Sequence, residues 1–386
     1  MRIGINTLFL TPGQVGGTEV YLYQLVDALG QIDAENEYLL YVAEQNQGIF
    51  SHLPFSNFRE IVIKARYSPV LQKGLQLSGW LDAQVGRQIL NTGVDLVHYP
   101  GTTIAPLSLA LPCVLTIHDI QQEYYPQFFS WRERLRRRRS YQVSAQKARQ
   151  IIAISEFTRQ TLLEKYHLDA HKITTIHCGV AHDFFTPVEP QLIGQVIQKY
   201  DLPEQFALFP ARGWPHKNHQ SLFEAMGKLK TRYASPCKLV LCGLAVAELP
   251  HHLQHLLENE LRDTILILGY VSRDDLRVLM QTATVVVYPS LFEGFGLPIL
   301  EAMASGCPVI CSNTTALPEI AGKAAMLVDP LDTEQLALAI QRVSTDKEMR
   351  SELIAQGLKQ CQNFSWLQTA EKTLEVYKNV YASIGR

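Results

Sequence analysis

Long apolar runs are missing from this sequence. No stretch approaches the ~18 uninterrupted apolar residues that a membrane-spanning helix needs. The opening MRIGINTLFLTPG has one basic residue and a short apolar run of alternating type. It reads as a first buried strand, because a signal peptide needs a longer apolar core and a small-residue cleavage site. Paired cysteines are missing too: the seven are an odd number, none forms a CxxC, and most sit in apolar strand-like runs. Buried free thiols in a reducing, cytoplasmic setting are expected, not disulfides or zinc. The net charge of −2 gives no global reason to bind nucleic acid. No convincing D-x-D metal motif is present. A dinucleotide GxGxxG would need glycine at 299, where Ile299 stands, and a phosphate-binding GxxxxGK would need it at 317, where Leu317 stands.

What is present is a repeating rhythm over 386 residues, a length of about two domains. Short Val-, Ile- and Leu-rich runs at 3–10, 38–43, 60–65, 95–100, 113–119, 150–155 and 173–178 alternate with helical patterns at 18–29, 79–91, 131–149 and 156–166. Six more runs follow at 206–211, 238–243, 265–270, 284–289, 308–312 and 324–329. Unalternated apolar strands separated by helices predict parallel sheets covered on both faces. One sheet of thirteen strands is improbable, so the expectation is an α/β chain of two doubly wound, Rossmann-like domains facing across a cleft. The N-terminal domain is placed at 1–187 and a proline-bearing linker at 188–204. The C-terminal domain follows at 205–364, and a last helix at 365–386 crosses back to the first domain. Ligands of such sheets sit beyond the carboxyl ends of the strands, so motifs there carry weight.

The segment EGFGLPILE, residues 293–301, is the most informative. Gly294 and Gly296 let the backbone through Phe295 and Leu297 approach a ligand closely, and a helix begins near Pro298. The positive end of that helix makes an anion site suited to a diphosphate. Glu301 falls about one turn into the helix, where a carboxylate can accept hydrogen bonds from a ribose diol. Glu293 lies before the glycines, nearer the other end of the ligand. Downstream of the run 206–211, Arg212 and Lys217 stand five apart across a turn with Gly213 and Pro215, so both could point at one anion. In the first half, Gly16 and Gly17 enter a helix with Thr18 as a candidate cap, and His118–Asp119 end a strand on the ligand-facing rim. Asp119 either orients His118, touches an acceptor, or caps the following loop. Ser155 is read as an N-cap. Six arginines from Arg132 to Arg139 form a solvated face, fold-stabilising ion pairs, or a patch for acceptor or anionic membrane. Nucleic acid is not expected there, for want of aromatic interleaving.

YPSLFEGFGLPILEAMASGCPVI and the trailing LPEIAGKAAMLVDPLD resemble glycosyltransferase family 4, whose E-x7-E signature EGFGLPILE matches. The resemblance implies the GT-B fold and retaining transfer of a hexose from a nucleoside-diphosphate sugar to an acceptor hydroxyl on a glycan or lipid-linked saccharide. It implies Glu301 on the donor ribose, Glu293 near the sugar hydroxyls, Arg212 and Lys217 on the diphosphate, and His118 on the transferred sugar. It also implies a double-glycine loop, here Gly16 and Gly17, near the reaction centre. No metal and no cofactor are expected, only the donor as substrate. HDIQQEYYPQFF and WPHKNH resemble bacterial mannosyltransferase-like members, which favours GDP-mannose over a UDP-sugar and suggests polysaccharide biosynthesis. Alternatives on the same fold are a nucleotide-sugar epimerase, a phosphorylase, or a non-catalytic nucleotide-binding subunit. A glycosidase pair is disfavoured, because retaining glycosidases hold their carboxyls about 5–5.5 Å apart. A loop and a helical turn between Glu293 and Glu301 do not naturally give that spacing.

Overall fold

A computed structural model describes residues 1–64, 79–233 and 235–383. The chain divides into two compact units. The first holds residues up to Gly179 together with the last helix, Trp366–Ala382, and the second runs from Val180 to Phe364. The division therefore falls eight residues before the expected boundary at 187.

Seven parallel strands build the first sheet: β1 Arg2–Asn6, β2 Glu37–Ala43, β3 Phe58–Ile63, β4 Leu96–Tyr99, β5 Cys113–Ile117, β6 Gln150–Ala153 and β7 Ile173–Thr175, in the order β3-β2-β1-β4-β5-β6-β7. Six parallel strands build the second: β8 Phe206–Pro210, β9 Lys238–Cys242, β10 Ile265–Ile267, β11 Val285–Tyr288, β12 Val309–Ser312 and β13 Met326–Val328, in the order β10-β9-β8-β11-β12-β13. Each sheet reverses its winding once, between β1 and β4 and between β8 and β11. Loops leaving neighbouring strands at such a switch point diverge and leave room for a ligand. These are GT-B domains.

All thirteen expected strands form, and several end earlier than the apolar runs suggest. Leu8 and Leu10 lie past the end of β1 yet are buried, so they fill the core as loop residues. All seven cysteines are buried free thiols. The expected linker is corrected: Pro190–Tyr200 is a helix with proline in its first turn. Val188 and Val196 pack with Val278 of the helix Arg273–Thr282, which places this segment in the second unit. Proline read as a breaker is here a helix starter, since its missing N–H falls where no helical bond is made.

Trp366–Ala382 packs along the first helix, Gly17–Ile32, where the Trp366 ring meets the Tyr21 ring at 5.9 Å between centroids. A buried hydrogen-bond chain fastens it further. Tyr377 Oη lies 2.7 Å from His98 Nδ1, His98 Nε2 lies 2.8 Å from Thr116 Oγ1, and Thr116 Oγ1 lies 3.1 Å from Tyr21 Oη. Burial drives the His98 pKa down to about 3, with the nearby His118 adding to the shift. The imidazole is therefore neutral, with one donor and one acceptor, and is satisfied on both sides. Tyr377→Phe leaves one of these buried groups without a partner. It should cost about 1–3 kcal/mol, read as an earlier urea unfolding midpoint at unchanged secondary structure. An unshifted midpoint would show that the chain of bonds adds nothing.

Candidate functional site

In the second unit, the loop after β8 carries Arg212 through Asn218. Its last turn, Pro215–Lys217, ends at Asn218 with φ +63°, a left-handed conformation that Asn tolerates. The buried Asn218 amide donates to Pro289 O at 3.0 Å and to Pro330 O at 2.7 Å. Leu291 N–H donates to His216 O at 2.7 Å. These bonds tie the loops after β8, β11 and β13 together, which follows from β8 and β11 being neighbours at the switch point.

The result is a buried ion pair. Lys217 Nζ donates to Glu293 Oε1 at 2.6 Å and to Tyr288 Oη at 2.7 Å, with the ammonium 5.0 Å from the Tyr288 ring centre. Burial opposes charge on both partners. Glu293 and Tyr288 nevertheless hold the Lys217 pKa above its ordinary value, and Lys217 with His216 holds the Glu293 pKa below its own. Both groups are therefore charged. Glu293 is held through its backbone too, its N–H donating to Thr315 Oγ1 at 3.2 Å and its carbonyl accepting from Ala316 at 3.4 Å. Arg212 takes another course: its guanidinium lies over the half-exposed Trp214 ring at 5.6 Å.

The glycine loop follows directly. Gly296 has φ +113° and caps the helix Leu297–Ala304, with Pro298 in the first turn and no side chain on the first N–H groups. A Cβ at Gly296 would stand 2.7 Å from Leu317 Cδ2, so glycine is required by both conformation and space. Phe295 is buried edge-on against Phe364 at 5.9 Å, which anchors the loop from below. Gly294 is buried beside it. The helix end thus presents backbone donors and positive dipole together.

Glu301 sits one turn in, half-buried, and accepts no hydrogen bond among the described residues. Burial pushes its pKa up to about 7, against the pull of Arg273 and with a further push from Asp183. Arg273 is itself forked onto Asp183 at 2.7 and 2.9 Å. Sequence reading missed Tyr288, Asn218, Arg273 and Asp183. Tyr288 was legible only as a strand residue, and the others lay in turns or helix starts without a motif.

The first unit carries its own group of expected residues. Gly16, at φ +70°, is the N-cap of Gly17–Ile32, so Thr18 is not the cap that its type suggests. Glu19 closes the loop by accepting the Gly13 N–H at 2.9 and 3.0 Å. His118 Nε2 donates to Pro100 O at 2.7 Å, beyond the end of the neighbouring strand β4. Burial lowers the His118 pKa against the raising effects of Pro100 O and Asp119. A neutral ring with its proton on Nε2 leaves Nδ1 as an acceptor. The Tyr21 ring meets His118 edge-on at 5.1 Å. Asp119 does not hydrogen-bond His118 among the described residues. Its Oδ1 accepts the Gln121 N–H at 3.0 Å and so caps the loop, which removes the orienting role from the expected catalytic set. Ser155 caps Glu156–Tyr166 through the Thr158 N–H at 3.0 Å, as read.

The arginine run lies on the helix Trp131–Lys147. Arg137 pairs with Glu133 at 3.0 Å and Arg138 with Glu123 at 3.7 Å. Arg134, Arg136 and Arg139 have no ion-pair partner among the described residues. Trp131 and Leu135, four apart, are 68% and 61% exposed beside them. Among the described residues no helix is long and apolar enough to cross a membrane, and no three metal-ligating side chains cluster.

Glu301 yields a test by its titration. Its folded pKa is raised above the ordinary carboxyl value, so the associated stability is complete in acid and is lost as pH rises through about 7. Glu301→Gln should therefore match the parent near pH 4 and exceed it near pH 8. The gain is on the order of 2 kcal/mol once partial exposure is discounted. Urea melts at both pH values measure it, and a difference independent of pH contradicts the assignment.

Comparison with known proteins gives the family. Residues 195–360 match the model for glycosyl transferases group 1, and residues 15–184 match that for glycosyltransferase family 4. The chain is 36% identical to O-antigen chain mannosyltransferase B of Escherichia coli over 69% of this chain and 70% of that protein. It is 30% identical to O-antigen chain mannosyltransferase RfbU of Salmonella typhimurium over 63% of this chain and 64% of that one, just under two thirds. HepE of Anabaena, solved in complex with UDP-glucose, shares the fold at a TM-score of 0.76 and 19% identity, over 98% of this chain and 100% of that one. The E-x7-E segment, the two parallel sheets and these matches lead to one assignment: the chain is a glycosyltransferase and belongs to glycosyltransferase family 4.

Proposed function

We propose that this glycosyltransferase moves a hexose, mannose first among candidates, from a nucleoside-diphosphate sugar to an acceptor hydroxyl with retention and without a metal. The carrying observation is the buried Lys217–Glu293 pair set against the uncapped helix end at Gly296. One site then offers a cation and backbone donors to a leaving diphosphate, and a carboxylate to sugar hydroxyls. In the reaction the anomeric carbon–oxygen bond breaks and its electron pair goes to the diphosphate. The acceptor oxygen bonds the same carbon and gives its proton to a diphosphate oxygen. Lys217, Arg212 and the 294–297 amides stabilise the departing charge, the kind of electrostatic assistance that contributes most in water-poor sites. Glu301 takes the ribose diol, and His118 Nδ1 accepts from a hydroxyl of the transferred sugar. Mannose is favoured by the O-antigen mannosyltransferase relatives, and GDP as its carrier rests on the resemblance of HDIQQEYYPQFF and WPHKNH to mannosyltransferase-like members. The acceptor in this reading is a growing glycan or lipid-linked saccharide.

A thermal-shift panel of GDP-mannose, UDP-glucose and ADP-glucose, followed by turnover assays, tests this reading. GDP-mannose should stabilise and turn over best, and stabilisation by none of the three sinks the proposal. Lys217→Ala should lower kcat about 10²–10³-fold. Glu301→Ala should raise the donor KM about tenfold or more with a smaller loss of kcat. Unchanged kinetics for both would remove them from the donor site.

The patch on Trp131–Lys147 supports a peripheral membrane role, since exposed Trp131 and Leu135 lie among unpaired arginines, the composition of an interfacial helix. Co-sedimentation with vesicles containing phosphatidylglycerol should fall severalfold when Arg134, Arg136 and Arg139 become Gln. Equal binding before and after rules this surface out as the membrane face.

A further inference from the structure

A cavity of about 760 Å³ opens in the first unit at the starting ends of β5, β6 and β7. This is the opposite end of β5 from His118. Its walls include Lys147, Arg149 and Lys172, and the one carboxylate among the lining residues is Asp169. The volume lies within the ~300–1,000 Å³ typical of metabolite pockets.

Among the described residues the three cations hydrogen-bond to neutral partners only. Lys172 Nζ donates to Gln146 O at 2.6 Å, Lys147 Nζ donates to Leu107 O, and Arg149 Nε reaches Ser383 Oγ at 3.4 Å. Asp169 accepts its own turn's His171 N–H at 2.9 Å, and none of the three cations is within ion-pair distance of a carboxylate among the described residues. Elsewhere many cations are paired, as Arg2 and Arg59 are with Glu37 and Arg232 with Glu334. Two helices, Trp131–Lys147 and Trp366–Ala382, end at this cavity, and cations do suit helix C-termini. Each such end carries only about half a negative charge, and Lys172 already satisfies the Gln146 carbonyl. Three full charges less Asp169 leave an excess. Burial lowers the Lys172 pKa, with the charge of Arg149 adding to it, and this prevails over the raising effects of Cys113 and Asp169.

We propose that this cavity is a second anion site that takes a phosphorylated small molecule on Arg149, Lys147 and Lys172, separate from the donor site. Among the described residues the Arg149 guanidinium is engaged through its Nε alone, which leaves its other donors for a forked grip on phosphate, and the lysines supply point charge on either side. Sugar phosphates and nucleotides match the size and the charge.

Inorganic pyrophosphate is a suitable probe, with the donor site first disabled. On the full chain carrying Arg212→Ala and Lys217→Ala, calorimetric titration should still show one saturable pyrophosphate site. Adding Arg149→Gln should weaken it about tenfold or more, and Lys172→Met should do the same. Arg149 is exposed, so its variant should fold even if the Lys172 variant does not. No binding in the disabled background, or binding indifferent to Arg149→Gln, overturns the proposal. Because the donor-site cations are already absent, neither result bears on whether GDP-mannose is the donor.

Discussion

The buried contact between Lys217 and Glu293 is the constraint around which the second unit's rim is arranged. Two charges taken out of water lose more hydration than their attraction alone restores, unless geometry and further hydrogen bonds complete the pair. Here Tyr288 supplies the third member at 2.7 Å, and Asn218 and Leu291 lock the supporting loops. Such a pair contributes little net stability by comparison with apolar packing. What it does provide is a cation and an anion held charged, in fixed positions, with Glu293 three residues before Gly296, the start of a helix that has no side-chain cap.

The switch point explains why these groups can meet. Lys217 follows β8 and Glu293 follows β11, 76 residues apart in sequence, and the two strands are hydrogen-bonded neighbours. The first unit repeats the logic with different chemistry. His118 leaves β5 and binds Pro100 O, just past β4, while Tyr21 from the helix after β1 supports its ring. The same tyrosine ends the chain Tyr21–Thr116–His98–Tyr377, so the last helix braces the element that backs His118. Rigid strands thus position loop residues that would not hold their geometry alone.

Much of the fold was legible because its signals are local. Unalternated Val and Ile runs mark buried parallel strands wherever they fall, and all thirteen form. Pro298 and Gly296 mark a helix start for reasons internal to four residues. Expectations failed where a residue's local options were balanced. Thr18 could cap a helix, but Gly16 does, because its positive φ sets the entry of the chain. Asp119 was open to orienting His118, touching an acceptor or capping the loop, and the loop is what it caps, through the Gln121 N–H. Prolines around 190 looked like a linker, while the spacing of Leu192, Ile193, Val196 and Tyr200 that makes a packed helix is a weak signal in so short a stretch.

From sequence alone came the residue types at each strand end and the class of ligand they suit, since glycine, carboxylate and cation have chemistry independent of context. Tertiary structure decided which of them meet and in what state of charge. Lys217 and Glu293 were read as contacts to different parts of one ligand, and the fold shows that they also hold each other. Glu301 was read as an ordinary carboxylate, and burial beside Arg273 and Asp183 moves its titration to neutrality. Pairing and desolvation depend on distances through space, and periodicity along a chain carries no measure of those.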